Sequence, residues 1–286
     1  MGTYAVTGSA SGMGYEAAQR LRNQGHMVIG VDIRHADVVA DLSTSGGRHA
    51  AAHGVLTASG GTLDGAVLAA GLGPTPGRLH QIGEVNFAGV VDLLMAWRPA
   101  LAAATHAKVV VIGSNSTSTT PLVPRRAVRA LLTGDTEKAV RCVRRLGKGA
   151  PALIYAASKT AVTRWVRNHA VRPEWAGAGI RLNVLAPGAV LTPLLQEQLS
   201  SPDLARAVRA FPVPTGGFGD PGHLADWMCF MLSDSADFLC GSVIFVDGGS
   251  DAYFRGNDWP KPVPAARLVP YMRRFVGFHH RLRRGR

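Results

Sequence analysis

The feature that most restricts the fold is a strand, a glycine-rich turn and a helix in the first 25 residues. A short apolar run at residues 3–7 ends in Gly8-Ser9-Ala10-Ser11-Gly12-Met13-Gly14, and an amphipathic pattern then runs from Tyr15 to Asn23. Glycines at this spacing let backbone N–H groups approach a pyrophosphate at the positive end of a helix. The pattern predicts a parallel α/β sheet with a dinucleotide-binding turn; a purely structural turn is the alternative.

A second apolar run, residues 27–33, delivers Asp32 near its C-terminal end. A carboxylate there accepts hydrogen bonds from the adenosine ribose and repels a 2′-phosphate, which favours NAD over NADP. Arg34 argues the other way, although at this spacing it points to the opposite side of an extended segment. Asp41 and Leu42 end a short segment suited to lining the adenine, with a solvated loop aspartate as the alternative.

A pair of polar residues, Tyr155 and Lys159, lies four positions apart in a segment that reads as helix, so both fall on one face. A free phenol has a pKa of about 10, and a nearby cation lowers that pKa. Such a pair is a usable general acid and base. Accidental spacing at an ordinary helix start is the alternative.

The rest of the chain alternates between strand and helix patterns. Asn86 lies in one predicted helix between apolar neighbours, so we expect it to face a buried polar group. Ser114 follows a predicted strand, where its hydroxyl can donate to a substrate oxygen, and Ser116 competes for that role. The predicted strands are residues 63–70, 108–112, 180–186 and 243–246, and the predicted helices are 79–104 and 226–232.

Two stretches depart from this alternation. Residues 121–149 are too long for a connection of about 2 to 6 residues, and arginines and leucines recur there at helical spacing, which predicts a small helical insertion. Residues 191–218 are apolar but broken by prolines and by Gly216-Gly217, which favours a mobile lid over the substrate.

The formal charge of +12 is concentrated in two places. Residues 255–286 carry nine basic residues and one acidic one, and residues 125–148 carry eight and two, so the remainder is close to neutral. No recognition motif accompanies the charge, so we expect no nucleic-acid partner. We expect the basic tail to pack within a homo-oligomer, with docking on an acidic partner or peripheral contact to an anionic membrane as the less favoured alternatives.

Three cysteines without metal-ligand spacing indicate a reducing compartment, no structural disulfide and no metal site. No run approaches the roughly 18 apolar residues of a membrane span, and the first residues lead directly into a strand. The default expectation is a cytoplasmic protein.

Together these residues resemble the short-chain dehydrogenase/reductase family. The resemblance rests on Thr7-Gly8-xxx-Gly12-x-Gly14, Asn86, Ser114, Tyr155-xxx-Lys159 and Pro187-Gly188-xxx-Thr192, in the family's order and spacing. Further similarity points to its bacterial hydroxysteroid dehydrogenase/carbonyl reductase subgroup, through Val31–Arg34, Ala40–Thr44, Ala69–Pro74 and the long insertion. Met13 departs from the branched aliphatic residue that is commoner there.

The resemblance implies a Rossmann-like, doubly wound parallel sheet in one α/β domain at residues 1–254, with the helical insertion at about 121–149 and a basic extension at 255–286. It also implies NAD(H)-dependent interconversion of a secondary alcohol and a ketone on a bulky hydrophobic substrate. A 3α-hydroxysteroid is the first candidate for that substrate. A reductase for another apolar ketone, quinone or acyl compound, and a non-catalytic NAD sensor, are the alternatives. We expect a dimer, since the insertion obstructs packing through the helix that bears Tyr155.

The resemblance further assigns roles by position. Tyr155 is the expected acid/base, Lys159 lowers its pKa and holds the nicotinamide ribose, and Ser114 bonds the substrate carbonyl. Asn86 anchors a water, and Thr192 holds the carboxamide. The expected cofactor contacts are Gly8, Ser11, Gly12, Met13, Asp32, Ile33, Asp41, Leu42, Ala70, Gly71, Tyr155, Lys159, Pro187, Val190 and Thr192; the expected substrate contacts are Ser114, Ser116, Tyr155 and Leu194.

Overall fold

A computed structural model of the protein describes residues 1–200, 202–258 and 262–274. Its centre is a seven-stranded parallel sheet in the order β3-β2-β1-β4-β5-β6-β7. The chain starts at β1, winds outward to β3, and then continues from β4 on the other side, which confirms the predicted doubly wound sheet in a single domain. The strands are β1 (Thr3–Thr7), β2 (Met27–Asp32), β3 (Val38–Val39), β4 (Gly65–Leu68), β5 (Lys108–Ile112), β6 (Arg181–Pro187) and β7 (Val243–Val246).

Helices cover both faces of this sheet. They are α1 (Gly12–Asn23), α2 (Ser45–Ala58), α3 (Leu79–Gly83), α4 (Gly89–Ala103), α5 (Ser116–Thr119), α6 (Arg125–Leu132), α7 (Thr136–Arg144), α8 (Ala150–His169), α9 (Pro193–Ser200), α10 (Pro202–Arg209), α11 (Pro221–Leu232) and α12 (Ser250–Arg255).

The sheet is buried on both sides because the central positions of its strands are mostly apolar. In β5, Val109 and Val111 join the core under α4 and α8, whereas Val110 and Ile112 join the core under α1 and α11. Successive side chains of a strand point to opposite faces, so a continuous apolar run supplies both cores. This arrangement leaves the carboxyl ends of the strands as the open edge.

The structure differs from the sequence-based expectations in several elements. The fourth strand is shorter than predicted, and β3 and α2 were not predicted. The sequence of α2 contains Gly46, Gly47 and Gly54, which weaken a helical pattern, but the Thr44 hydroxyl accepts a hydrogen bond from the Gly47 N–H at 3.0 Å and caps it.

The long helix predicted at residues 79–104 is interrupted. Between α3 and α4 lies a π-helical turn, Glu84–Ala88, and Asn86 is at its centre. Single π-helical turns are rare within helices and are frequent at functional sites.

The two stretches that interrupt the alternation of strands and helices, residues 121–149 and 191–218, both contain helices. Residues 121–149 hold α6 and α7, which pack on each other and on α8. Residues 191–218 hold α9 and α10. Among the helices described, none combines the length and the apolarity that a bilayer crossing requires. Of the predicted basic tail, residues 259–261 and 275–286 lie outside the described residues.

Candidate active site

The glycine-rich turn lies where the strand order reverses, between β1 and β4. Gly8 and Gly12 have φ angles of 71° and 57°, in the left-handed region that favours glycine. A Cβ atom at Gly8 would lie 2.8 Å from the Ala70 nitrogen, and one at Gly14 would collide with the Gly8 carbonyl oxygen. The turn therefore exposes its backbone at the glycines, at the N-terminus of α1, a geometry that suits a pyrophosphate.

Asp32 ends β2 beside this cradle. Its Oδ2 accepts a hydrogen bond from the Ala10 N–H at 3.0 Å, and its Oδ1 accepts one from the Ile33 N–H at 2.7 Å. The carboxylate is thus fixed against the glycine turn, where the expected ribose would lie. Arg34 and Ile33 are exposed next to it.

The predicted adenine-lining pair divides between two roles. The Asp41 Oδ1 accepts a hydrogen bond from the Ser43 N–H at 2.9 Å, so this carboxylate bends its own loop. Leu42 is buried in the core below α4. Arg48 donates to the Leu42 carbonyl at 3.2 Å and to Glu84 Oε2 at 2.8 Å, which ties this segment to the π-helical turn.

Asn86 is fully buried and connects three elements. Its Oδ1 accepts from the Leu72 N–H at 2.8 Å, and its Nδ2 donates to the Leu72 carbonyl at 2.9 Å and to Ser158 Oγ at 3.3 Å. A Cβ on Gly71 would lie 3.2 Å from Asn86 Oδ1 and 3.6 Å from Lys159 Nζ. Asn86 therefore faces buried polar partners, as the sequence predicted, and holds the segment after β4 against α8.

Lys159 lies on α8, almost entirely buried. Its Nζ donates to the Ile112 carbonyl at 2.8 Å, at the end of β5. Burial lowers the pKa of Lys159 to about 8 because the low-dielectric interior disfavours the ammonium form. One main-chain acceptor therefore holds the ammonium in the crevice at the carboxyl ends of the strands, beside the glycine turn.

Tyr155 lies one helical turn earlier on the same face. Burial raises the pKa of the Tyr155 phenol, and a hydrogen bond with the Ser114 hydroxyl offsets part of that effect. The predicted lowering by Lys159 is not seen in this arrangement, because burial outweighs the other influences and the ammonium bonds the Ile112 carbonyl. Tyr155 is accordingly a proton donor in the described state.

The two candidate serines follow β5. Ser114 is buried, and its Oγ accepts from the Ser116 N–H at 3.1 Å. Ser116 Oγ is buried and has no hydrogen-bond partner among the described residues. Both hydroxyls therefore lie in the same turn, and Ser114 is the one that reaches Tyr155.

The strand–turn after β6 closes the crevice on the other side. Thr192 Cγ2 lies 3.3 Å from the position a Cβ would take on Gly12, so the start of α9 abuts the glycine turn. Leu194, a third exposed, lies beside Gly73, where an added Cβ would be 3.2 Å from Leu194 Cδ1. Of the remaining predicted contacts, Ser11 and Met13 belong to the glycine turn and Ala70 to the segment after β4. Pro187 is the last residue of β6, and Val190 lies in the chain that follows it.

Sequence reasoning missed two residues that support this site. Ser158 is fully buried, accepts from Asn86, and donates to the Tyr155 carbonyl at 2.7 Å. Asp247 Oδ2 accepts from Asn115 Nδ2 at 3.3 Å and from the Asp251 N–H at 2.7 Å, which joins the turn after β5 to the turn after β7. A small polar residue between Tyr155 and Lys159 was the one available signal for Ser158.

Residues 140–251 match a protein-family model described as enoyl-(acyl carrier protein) reductase. The chain is 38% identical over 255 residues, 89% of its length and 98% of the relative's, to a 3-alpha-hydroxysteroid dehydrogenase/carbonyl reductase of Comamonas testosteroni. This chain belongs to the short-chain dehydrogenase/reductase family.

The likeness extends to solved structures of short-chain dehydrogenases/reductases. A 3-alpha-hydroxysteroid dehydrogenase from Pseudomonas sp. B-0831, complexed with NADH, superimposes with a TM-score of 0.84 at 42% identity, covering 89% of this chain and 99% of that one. A cis-4-hydroxycyclohexanecarboxylate dehydrogenase of Sinomonas cyclohexanicum is 29% identical over 264 residues, 86% of this chain and 95% of the relative. As a family member, the protein is an oxidoreductase that interconverts a secondary alcohol and a ketone.

Proposed function

We propose that the protein is an NAD(H)-dependent dehydrogenase acting on a bulky apolar secondary alcohol, with 3α-hydroxysteroids as the first substrate class. The observation that carries the proposal is the Tyr155 hydroxyl beside the Ser114 hydroxyl, with the buried Lys159 ammonium one helical turn away. The substrate class comes from the relatives of 38% and 42% identity, which are both 3-alpha-hydroxysteroid dehydrogenases by name.

The residues at the edge of the sheet fit a dinucleotide. The glycine turn would hold the pyrophosphate, Asp32 the adenosine ribose, Lys159 the nicotinamide ribose and Thr192 the carboxamide. When bound, the nicotinamide accepts or supplies the hydride. The Asp32 carboxylate supports NAD over NADP because it would repel a 2′-phosphate.

Tyr155 handles the proton in this proposal. During reduction, its hydroxyl donates a proton to the carbonyl oxygen of the substrate, and during oxidation its phenolate takes the proton from the alcohol. Ser114 donates a hydrogen bond to the same substrate oxygen and holds it next to Tyr155. Because burial raises the phenol pKa, the protein alone favours the proton-donating form.

Lys159 and Asn86 support this transfer. The Lys159 ammonium adds positive charge near the phenol and opposes the effect of burial when the phenolate forms. Asn86 fixes Leu72 against α8, and in this proposal it would also anchor a water that connects Lys159 to solvent. Both side chains act from positions set by hydrogen bonds to the main chain.

The substrate side of the crevice is apolar. Leu191 and Leu194 are partly exposed at its mouth, and Leu195 is buried beneath them. Each methylene of a substrate that is buried there contributes about 0.8 kcal/mol, so a large rigid alcohol gains far more than a small one. This surface supports a bulky substrate.

The test is NADH formation across hydroxysteroids that differ only in the position and face of the hydroxyl, with isopropanol as the small control. We expect a kcat/KM for one 3α-hydroxysteroid well above that for isopropanol, and higher efficiency with NAD than with NADP. Comparable efficiency for isopropanol and every steroid would contradict the substrate class. Equal efficiency with NADP would contradict the cofactor preference.

A second candidate is a reductase for an acyl derivative. It is favoured by the match of residues 140–251 to the enoyl-(acyl carrier protein) reductase description. Oxidation of NADH with 2-enoyl or 3-oxoacyl thioesters, in the absence of turnover of any hydroxysteroid, would support this candidate instead.

A further inference from the structure

The helical insertion presents a surface of one charge. Helices α6 and α7 bury one side each against the body, through Ala127, Leu131, Ala139 and Val143. Their other sides are solvent exposed. The basic residues exposed there and in the following loop, called here the insertion face, are Arg125, Arg126, Arg129, Lys138, Arg141, Arg144, Arg145 and Lys148.

The protein itself provides almost no counter-charge for the insertion face. Among the described residues, Arg141 is its one member with a carboxylate within 4 Å, Glu137 at 3.9 Å. Glu137 also lies 3.4 Å from His80. Like charges crowded on one surface repel each other, and an anionic partner removes that repulsion. The insertion face is therefore complementary to an extended negative surface.

Two exposed leucines flank these cations. Leu122, just before α6, is 93% exposed and has a φ of 55°, a backbone region that strains a bulky side chain. Leu146, just after α7, is half exposed. Aliphatic side chains beside basic ones suit the boundary between lipid headgroups and acyl chains. Reading of bases would instead call for side-chain contacts to base edges, and binding of single strands would call for aromatic stacking.

We propose that the insertion face docks the protein peripherally on an anionic lipid surface, with Leu122 and Leu146 entering the headgroup region. Because α6 and α7 pack on α8, docking would hold the helix that bears Tyr155 and Lys159 close to the bilayer. The proposal goes beyond the redox activity and does not depend on the substrate. Binding to vesicles can be measured without turnover.

The test is co-sedimentation with vesicles of phosphatidylcholine alone and of phosphatidylcholine mixed with phosphatidylglycerol. We expect binding to the mixed vesicles only, and weaker binding as salt rises. The double variant Arg126→Glu with Arg129→Glu should bind at least about 25-fold more weakly, since each basic residue near an anionic surface contributes about fivefold. Leu122→Ser should weaken binding by a smaller factor.

The matched control is Arg164→Glu with Arg172→Glu, which changes the net charge equally at two exposed positions outside the insertion face. This control should bind within a few fold of the unmodified protein, and both double variants should keep its melting temperature. Equal losses in the two variants would show an effect of total charge alone, and unchanged binding of the Arg126/Arg129 variant would overturn the proposal.

Two further measurements test whether the tail is the docking segment and whether the partner is a nucleic acid. The chain without residues 256–286 should still bind the mixed vesicles; loss of binding there, with retention in the Arg126/Arg129 variant, would assign docking to the tail and overturn the proposal. Binding to duplex DNA, but not to vesicles, through the same arginines would replace the lipid surface with a nucleic acid.

Discussion

The crevice around Tyr155 and the insertion face use charge in opposite ways. In the crevice, Asn86, Ser158 and Lys159 are buried, and each makes hydrogen bonds of 2.7 to 3.3 Å with fixed partners. On the insertion face, eight cations are exposed, and one of them has an acidic partner among the described residues.

The two regions differ in how strongly function and stability depend on a single atom. A buried polar group without its partner is expensive, so the geometry of the crevice is tightly specified. Exposed charges act through their sum and are screened by salt, so their positions are loosely specified. We therefore expect large effects from removing one atom in the crevice and graded effects from changing charges outside it.

The largest effect should come from the Tyr155 hydroxyl. Tyr155→Phe removes one oxygen and, with it, the group that exchanges a proton with the substrate. We expect kcat to fall by about 10²- to 10⁴-fold, with the affinity for NAD nearly unchanged. Steady-state kinetics and cofactor titration by fluorescence would measure the two quantities.

Tyr253→Phe is the matched control, because the Tyr253 side chain is two-thirds exposed on α12. It should have wild-type kcat. Retained turnover by Tyr155→Phe would contradict the assignment of Tyr155 as the acid/base. It would also mean that removing one atom in the crevice has no larger effect than removing one on the surface.

The buried ammonium of Lys159 should make stability depend on pH. The pKa of Lys159 is about 8 in the folded protein and about 10.5 when unfolded. Below pH 8 the lysine is charged in both states and destabilises the fold; between pH 8 and 10.5 the folded state loses its proton first. Unfolding free energy should therefore rise with pH across this window, by up to about 3 kcal/mol.

Comparison with Lys159→Met isolates this contribution. The difference in unfolding free energy between the unmodified protein and the variant, measured by urea denaturation, should shift in favour of the unmodified protein from pH 8 to 10.5. Lys148→Met, at an exposed lysine of the insertion face, should show no such shift. A flat difference for Lys159→Met would mean that this ammonium is solvated.

Asp32 should show an intermediate effect, since its carboxylate is partly exposed. Asp32→Asn keeps the size of the side chain and removes its charge, so the repulsion of a 2′-phosphate disappears. We expect the ratio of kcat/KM for NAD to that for NADP to fall by at least about tenfold. Asp41→Asn is the control, because Asp41 bends its own loop, and its ratio should not change.

Much of this architecture follows from local signals in the sequence. Glycine spacing, apolar runs and the Tyr155/Lys159 pair each require only neighbouring residues, and parallel strands bring their carboxyl ends together. Elements that depend on distant contacts were not predictable. The π-helical turn at Asn86 is fixed by Leu72 and Ser158, and Asp247, after β7, reaches Asn115, after β5, past the intervening strand β6.

The pKa of Tyr155 illustrates the same limit. A nearby lysine predicts a lowered pKa, but burial, which depends on the whole fold, dominates in the structure. Likewise, the sequence did not show that the Leu42 side chain, predicted to line the adenine, is buried in the core. The type of chemistry can be predicted from the residue types. The pKa of each group cannot, because it depends on burial and nearby charges, which packing determines.

The smallest effect on activity should come from deleting the basic tail. In a single copy of the chain Leu268, Val269 and Met272 are more than half exposed, which favours packing against another subunit. Deleting residues 256–286 should lower the mass in solution from a dimer or reduce the melting temperature, by about 2–4 °C for each kcal/mol lost. The kcat should not change, because no residue of the crevice is removed. Light scattering and calorimetry would test this; unchanged mass and melting temperature would mean that the tail, like the insertion face, serves a partner other than a second copy.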